Sequence, residues 1–165
     1  MARRWLLNAS PIIALGRIGA LPLLPGLATE MVVPEAVRRE VEAPGARDPA
    51  FVDLQSIERL RIVRVARIPE PVAGWALGAG ESEVIAWAIE HPAFEVVLDD
   101  LAARNCAQAL RLPVRGTLGI LVLARRSGLV PALRPLVEAL VGAGFRAHPD
   151  VLRRALALAG EGEAA

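Results

Sequence analysis

Short apolar segments of the kind that form buried strands alternate along this chain with longer segments of helical periodicity. Three of the short segments, residues 5–7, 31–33 and 94–98, are followed closely by helix-forming sequence. Strands that alternate with helices build parallel sheets, because each helix returns the chain across the sheet by a right-handed crossover. The sequence therefore predicts an α/β fold around a parallel sheet.

The element boundaries are predicted from periodicity, β-branched residues and helix-starting residues. Ser10 before Pro11 is a favourable helix start, and the alternating residues 61–68 are typical of a half-buried or edge strand. Strands are predicted at 5–7, 31–33, 61–68, 94–98 and 113–114, helices at 10–17, 34–41, 81–90, 99–110, 117–127, 131–141 and 148–159, a weak helix at 51–60, loops at 42–53 and 69–80, and a frayed tail at 160–165. No internal repeat or second domain is evident.

The composition excludes several classes of protein. A chain of 165 residues that is 54% hydrophobic can form one core, and disorder is not expected over most of its length. Its longest apolar stretch, residues 11–28, contains an arginine, three prolines and three glycines, so no membrane span is predicted. The N-terminus lacks the apolar region of a secretory signal. Cys106 is the single cysteine, which excludes an internal disulfide and predicts a reducing cytoplasm.

The positive charges of this chain are all arginines, 19 in number, and the net charge of +1 indicates no class of partner. Arginine suits phosphate recognition because its guanidinium group matches phosphate oxygens. The heavy use of Ala, Arg, Gly, Pro and Leu also fits a GC-rich coding bias, which is the favoured interpretation. The sequence leaves both explanations open.

Motifs of nucleotide-binding proteins are missing, because no strand leads into a glycine-rich phosphate loop. The segment 78–80 is interpreted as a turn. His91 and His148 each lie beside a proline at a predicted helix boundary and are not expected to be ligands. Cys106 is expected to be a small core residue.

Polar and acidic residues follow two predicted strands at the sheet edge where ligands bind in open parallel sheets. Asn8 and Ser10 follow strand 5–7, and Asp99 and Asp100 follow strand 94–98. Adjacent acids after a buried strand repel each other unless a cation or a helix N-terminus offsets the repulsion. The pair therefore indicates either a metal site or helix capping.

Three further acids have alternative interpretations of their own. Glu81 and Glu83 open a predicted helix, where negative charge complements the helix dipole. Glu40 lies in the helix after the second strand and would be an ordinary surface glutamate. Each residue alone is explained by local structure, whereas their occurrence as a set favours a site.

The order of these segments resembles the PIN-domain family, in particular a branch of prokaryotic PIN-like proteins related to toxin–antitoxin ribonucleases. The resemblance is carried by Asn8-Ala9-Ser10-Pro11, by residues 33–41 with a glutamate on the helix, by 80–86 with an acid on an alanine-rich helix, by 97–104 with acids after a buried strand, and by 113–119. It implies a three-layer α/β/α domain over residues 1–159, with a central mostly parallel sheet and extra C-terminal helices.

The resemblance also implies an activity. PIN domains are typically ribonucleases that depend on Mg²⁺ or Mn²⁺, and the implied role is the toxin of a toxin–antitoxin pair. A metal-activated water would hydrolyse the RNA phosphodiester. The implied partners are RNA, a small antitoxin protein and a second copy in a homodimer, in the cytoplasm and without a membrane.

The site residues carried over from this resemblance are oxygen donors, which hard dications prefer. Glu81 is favoured over Glu83 as the third acid because it lies at the very start of its helix. Arg104 would contact phosphate or pair with Asp100, and the spacing of four residues favours the pair. The implied catalytic residues are Glu40, Glu81, Asp99 and Asp100, the implied metal ligands are Asn8, Glu40, Glu81, Glu83, Asp99 and Asp100, and the implied substrate-binding residues are Ser10 and Arg104.

Asn8 departs from the family pattern, because an aspartate is expected at this position. An amide oxygen can coordinate a metal but brings no charge, so weaker binding is expected. One alternative is a degenerate PIN domain that acts as an RNA- or protein-binding regulatory module. Another is an unrelated α/β protein that uses Asp99 and Asp100 for different phosphoryl chemistry.

Overall fold

A five-stranded parallel sheet forms the centre of the computed structural model, which describes residues 2–43 and 52–162. The strands are β1 (Arg4–Leu7), β2 (Glu30–Pro34), β3 (Leu60–Val63), β4 (Glu95–Val97) and β5 (Val114–Arg115), in the order β3-β2-β1-β4-β5. Leu6 pairs with Val32 on one side and Val96 on the other. All four strand pairings are parallel, so the predicted α/β fold is confirmed.

Helices flank this sheet as a three-layer α/β/α arrangement requires. They are α1 (Ala9–Arg17), α2 (Leu24–Leu27), α3 (Glu35–Glu42), α4 (Glu70–Ala73), α5 (Ala79–Glu90), α6 (Leu101–Ala109), α7 (Thr117–Arg126), α8 (Arg134–Gly142) and α9 (Pro149–Leu158). Helix α3 packs on both α1 and α5, and α7 packs on α9. The helices predicted at 117–127, 131–141 and 148–159 correspond to α7, α8 and α9.

The central strands are buried on both faces, as is typical of parallel sheets covered by helices. Trp5, Leu6 and Leu7 of β1 are fully buried, and so are Val96 and Val97 of β4. An extended strand places alternate side chains on opposite faces of the sheet, and in these short runs the side chains on both faces are apolar and buried. Strand β3 lies at the edge of the sheet and exposes residues 61 and 62, which confirms the predicted edge strand.

The predicted length of the edge strand is wrong, because β3 ends at Val63 and residues 64–68 lie beyond it. Residues 60–63 pair with 31–34 of β2, and β2 ends at Pro34, so the following residues have no strand beside them. Periodicity along one segment cannot report the length of its partner.

Three other local predictions also differ from the structure. Helix α1 begins at Ala9, so Ser10 lies inside its first turn and is not the cap. The weak helix at 51–60 is reduced to a 3-10 turn at Leu54–Ser56, and its first residue lies outside the described part. The predicted loop 69–80 contains α4, which carries Pro71 in its first turn, where the missing backbone N–H of proline costs no helical hydrogen bond. The predicted loop 42–53 falls largely on residues 44–51, which are not described.

Glu161 lies in the segment 160–165 that was predicted as a frayed tail, and its side chain has defined contacts. Its carboxylate accepts hydrogen bonds from the backbone amides of Leu133 (2.6 Å) and Arg134 (2.9 Å) and from Arg125 Nε (3.0 Å). These bonds tie the chain end to the α7–α8 connection. Residues 163–165 lie outside the described part.

Within residues 2–43 and 52–162, no single helix is long and apolar enough to cross a membrane. Only α1 taken together with residues Leu21–Leu27 passes by length and composition, and the two are bent by 111°.

Candidate active site

The candidate site lies where the strand order of the sheet reverses direction. Strands β2 and β3 extend the sheet on one side of β1, and β4 and β5 extend it on the other. Asn8 directly follows β1, and Asp99 is the second residue after β4. The backbone N–H of Asn8 donates to the Val97 carbonyl oxygen (3.2 Å). Diverging connections leave a crevice at such a reversal, and ligands of open α/β sheets bind there.

A cavity of about 440 Å³ opens at this edge of the sheet. Its wall includes the acids Glu81, Asp99 and Asp100, and Ser10. The remaining wall includes Arg17 and the segment Ala143–Arg146 after α8. We call this the acidic cavity. The structure thus brings four of the eight predicted site residues to one cavity wall.

Asp99 and Asp100 are held by the N-termini of two different helices. Asp99 Oδ1 accepts from the Thr117 amide (2.8 Å) and Oδ2 from the Thr117 hydroxyl (2.5 Å), at the first residue of α7. Asp100 Oδ1 accepts from the Ala103 amide (2.9 Å) and caps α6. Helix N-termini stabilise negative charge, which explains how two adjacent acids are accommodated without a cation. The capping interpretation is therefore confirmed for Asp100, whereas Asp99 binds the first residue of a different helix, α7.

Helices α3 and α5 exchange caps through their glutamates. Glu83 Oε2 on α5 accepts from the Ala36 amide in the first turn of α3 (2.9 Å). In return, Glu40 Oε1 on α3 accepts from the Gly80 amide in the first turn of α5 (2.9 Å). A Cβ on Gly80 would lie 2.6 Å from Glu40 Oε1, so a larger residue here would displace this carboxylate from its bond. Both glutamates thus bind helix ends, and neither lines the acidic cavity.

Glu81 is the third acid of the cavity and carries a shifted pKa. Burial raises the pKa of Glu81 above its ordinary value, and the negative charges of Asp100 and Glu40 raise it further. A hydrogen bond from the Gly78 amide to Oε2 (3.1 Å) opposes these effects. Glu40 therefore belongs to the electrostatic surroundings of the site even though it lies outside the cavity wall.

Arg104 does not form the predicted pair with Asp100. Its Nη1 donates to the Leu98 carbonyl instead (2.9 Å), and among the described residues no salt bridge joins it to an acid. The Asp100 carboxylate accepts from the α6 backbone, so Arg104 does not find the partner that the sequence predicted. Arg104 thus braces the connection between β4 and α6, and a phosphate contact remains a prediction.

Asn8 has the single buried side-chain atom among the described residues that lacks a hydrogen-bond partner, its Oδ1. The residue is 2% exposed and occupies the cap position of α1 without making a cap bond. A buried polar atom left unpaired costs about 1–3 kcal/mol, so such atoms usually bind water or an ion. This oxygen therefore indicates a ligand that comes from outside the chain.

The residues present fit a hard dication by their chemistry. Asn8, Glu81, Asp99 and Asp100 offer only oxygen donors, and Mg²⁺ commonly keeps several waters and uses few protein carboxylates. In the described part of the chain, however, no three His, Cys, Asp or Glu side chains are grouped closely enough to hold an ion as they stand. The donor set matches the ion, and the carboxylates are at present engaged with helix N-termini.

Several residues of the site, in the cavity wall or bound to its acids, were not predicted from the sequence. Thr117 is the first residue of a predicted helix, and a helix start can bind a carboxylate, but nothing local indicates that this carboxylate is Asp99. Arg17 and Phe145 carry no local signal, and Arg146 lies in a predicted connection between helices. They reach the cavity only through the packing of α1 and of the α8–α9 connection.

Residues that the sequence assigned no chemistry lie elsewhere. His91 stacks on Trp87 (ring centroids 3.5 Å apart), and its Nδ1 lies 2.8 Å from the Trp87 carbonyl oxygen. His148 caps α9, and Cys106 is fully buried. None of these lines the acidic cavity.

Comparison with known proteins identifies the family. The family described as DUF3368, a PIN domain, matches residues 4–161. No curated protein gives a significant match to the chain. The matched segment contains all five strands and every residue of the acidic cavity, which excludes the interpretation as an unrelated α/β protein. The chain therefore belongs to the PIN-domain family and has its nuclease-like fold.

Proposed function

We propose that this PIN domain is an endoribonuclease that depends on Mg²⁺ or Mn²⁺. One observation carries the proposal: Glu81, Asp99 and Asp100 line a single cavity where the strand order reverses. Asn8, whose buried side-chain oxygen is unpaired, follows the central strand β1 at the same edge of the sheet. Helix N-termini offset part of the repulsion among these three acids, and no salt bridge to them is formed within the described residues. Binding of a dication would relieve their repulsion.

The residues proposed to hold the ion are Asp99, Asp100 and Glu81, with the Asn8 amide oxygen as a neutral ligand. When bound there, a divalent ion supplies an activated water and neutralises charge on the scissile phosphate. Thr117 fixes the Asp99 carboxylate through two hydrogen bonds, which limits its orientations. Ser10 offers a hydroxyl at the cavity wall for a bound water or a phosphate oxygen.

Glu40 and Glu83 have different proposed roles. Glu40 adds negative charge beside Glu81 while its Oε1 binds the Gly80 amide, so it orients the site from outside the cavity wall. Glu83 caps α3 and is the weaker candidate for a ligand. The proposed biological role remains that of a toxin in a toxin–antitoxin pair, acting on RNA in the cytoplasm, as a homodimer and under control of a small antitoxin protein.

A degenerate PIN domain that binds RNA or protein is the second candidate, and Asn8 favours it. The neutral amide replaces the charge expected at this position, and no ready-made metal cluster exists among the described residues. This candidate predicts RNA binding without cleavage.

The test is a calorimetric titration of Mn²⁺ together with cleavage of a labelled single-stranded RNA. The double variant Asp99→Asn, Asp100→Asn should lose both Mn²⁺ binding and cleavage. The matched control Glu90→Gln, Glu138→Gln removes two exposed acids outside the cavity and should retain both.

The outcomes separate the two candidates. A wild-type protein that binds no Mn²⁺ contradicts the nuclease proposal. Wild-type protein that binds RNA without cleaving it, combined with cleavage by Asn8→Asp, identifies the degenerate domain.

A further inference from the structure

A second concavity adjoins the acidic cavity on the side of the C-terminal helices. Its volume is about 870 Å³, and β5, α7 and α9 form most of its wall. Asp99, Phe145 and Arg146 line both concavities. We call this second concavity the arginine groove. A chain-like ligand with one group in the acidic cavity can therefore continue into the groove past Phe145 and Arg146.

The arginine groove is strongly cationic. Five arginines line it against two acids, Glu95 and Asp99. One of the arginines, Arg115, is neutralised by Glu95 (2.8 Å). Arg104 is bound to the Leu98 carbonyl. The three remaining arginines of the groove are Arg126, Arg146 and Arg154, and all three are exposed. Within residues 2–43 and 52–162, none of them forms an ion pair.

Apolar side chains are exposed between these arginines. Leu101 is 71% exposed, Val151 50% and Leu158 56%, and all three line the groove. Phe145 presents a half-buried aromatic ring at the junction with the acidic cavity. Proteins that bind single-stranded nucleic acids combine a cationic groove, which follows the phosphates, with aromatic rings on which the bases stack. The groove has both components.

We propose that the arginine groove binds the single-stranded RNA segment next to the phosphate held in the acidic cavity. Arg126, Arg146 and Arg154 contact successive phosphates, and Phe145 contacts the base at the junction. This inference rests on the proposed function, because it assumes that the acidic cavity receives RNA. It adds a binding subsite that the C-terminal helices of this chain supply.

The test measures the affinity for a fluorescein-labelled ten-nucleotide single-stranded RNA by fluorescence anisotropy, in EDTA and at several KCl concentrations. The groove variant is Arg126→Gln, Arg154→Gln, which leaves Arg146 and the acidic cavity intact. Its matched control is Arg39→Gln, Arg153→Gln: both variants have the same net charge, and neither control residue lines the groove. Arg153 is adjacent to Arg154 on α9, and it pairs with Asp150.

The groove variant should bind about tenfold more weakly at 0.1 M salt, because two phosphate contacts are lost. The slope of log affinity against log salt should fall by about 1.4, at about 0.7 per contact for a single strand. The control should stay within twofold of the wild type. Thermal melting of both variants checks that they are folded.

Equal affinity of the groove variant and its control overturns the inference, and so does a wild-type protein with no affinity for the RNA. Because the measurement is made without metal, it does not depend on cleavage. Groove-dependent binding by a protein that binds no Mn²⁺ would support the groove and contradict the proposed nuclease. Mn²⁺-dependent cleavage by the wild type, together with unchanged RNA affinity of the groove variant, would support the proposed nuclease and contradict the groove.

Discussion

The two hydrogen bonds between Thr117 and Asp99 connect the stability of the fold to the geometry of the acidic cavity. Thr117 is fully buried, and its hydroxyl lies 2.5 Å from Asp99 Oδ2. The variant Thr117→Val keeps the shape of the side chain and the backbone bond to Oδ1 but removes the hydroxyl. A hydrogen bond to a charged group contributes about 1.5–3 kcal/mol. In a domain of this size, that loss lowers the melting temperature by about 3–12 °C.

Thr117→Ser is the matched control, because it keeps the hydroxyl and removes one methyl group, worth about 0.8 kcal/mol. Denaturant unfolding at pH 7 should rank the proteins wild type, Thr117→Ser and Thr117→Val in decreasing stability. Loss of a partner that orients a metal ligand typically weakens metal affinity about 10–100-fold, so Mn²⁺ binding should weaken in Thr117→Val alone. A valine variant as stable as the serine variant would refute the energetic argument. Unchanged Mn²⁺ affinity would refute the orienting role of Thr117.

Three glutamates yield further predictions. Glu81→Gln in EDTA should raise the unfolding free energy at pH 7 by less than about 1 kcal/mol, because it removes a charge that burial and two acids disfavour. The pKa of Glu81 is raised in the folded protein, so this gain disappears below pH 4.5, the ordinary pKa, where Glu81 is protonated in both the folded and the unfolded state. Glu83→Ala should lose about 1 kcal/mol, as expected for a missing cap on α3, with Mn²⁺ affinity unchanged. Hydrogen bonds from the Leu133 and Arg134 amides lower the pKa of Glu161, so Glu161→Gln should be less stable than wild type at pH 7, and the difference should shrink as the pH falls below 4.5.

Denaturant unfolding between pH 3 and 8 measures all three effects, and Glu138→Gln, an exposed substitution on α8, serves as the control. A Glu81→Gln protein less stable than wild type at pH 7 contradicts the raised pKa. Loss of Mn²⁺ binding in Glu83→Ala would contradict a purely structural role and indicate that Glu83 is a metal ligand. A stability difference for Glu161→Gln that does not depend on pH would exclude its charge as the cause.

Much of the fold could be predicted from the sequence, because the signals are local. The apolar runs of β1, β2 and β4 are buried on both faces, and that burial appears in the sequence as uninterrupted hydrophobic residues. Asp99 and Asp100 could be assigned to the ligand-binding edge because they directly follow such a run. The order of the segments was sufficient to suggest the family that the comparison then identified.

The roles of the acids depended on contacts between distant residues. The Glu83–Ala36 bond spans 47 positions, and the Glu40–Gly80 bond spans 40, so neither cap exchange has a local sequence signal. Four of the acids predicted as metal ligands each accept a hydrogen bond at the N-terminus of a different helix, because unpaired backbone amides there attract negative charge: Glu40, Glu83, Asp99 and Asp100.

Which polar residues follow the buried strands could be predicted from residue order alone, because strand formation and chain order are local properties. Which of these residues share a cavity depends on packing between distant elements. Packing of α1 brings Arg17 to the acidic cavity, and the α8–α9 connection brings Phe145 and Arg146, although 128 positions separate Arg17 from Phe145. The side chain of Asn8 shows the same division: its identity is visible in the sequence, but its burial without a partner follows from how β1, β4 and α1 pack around it.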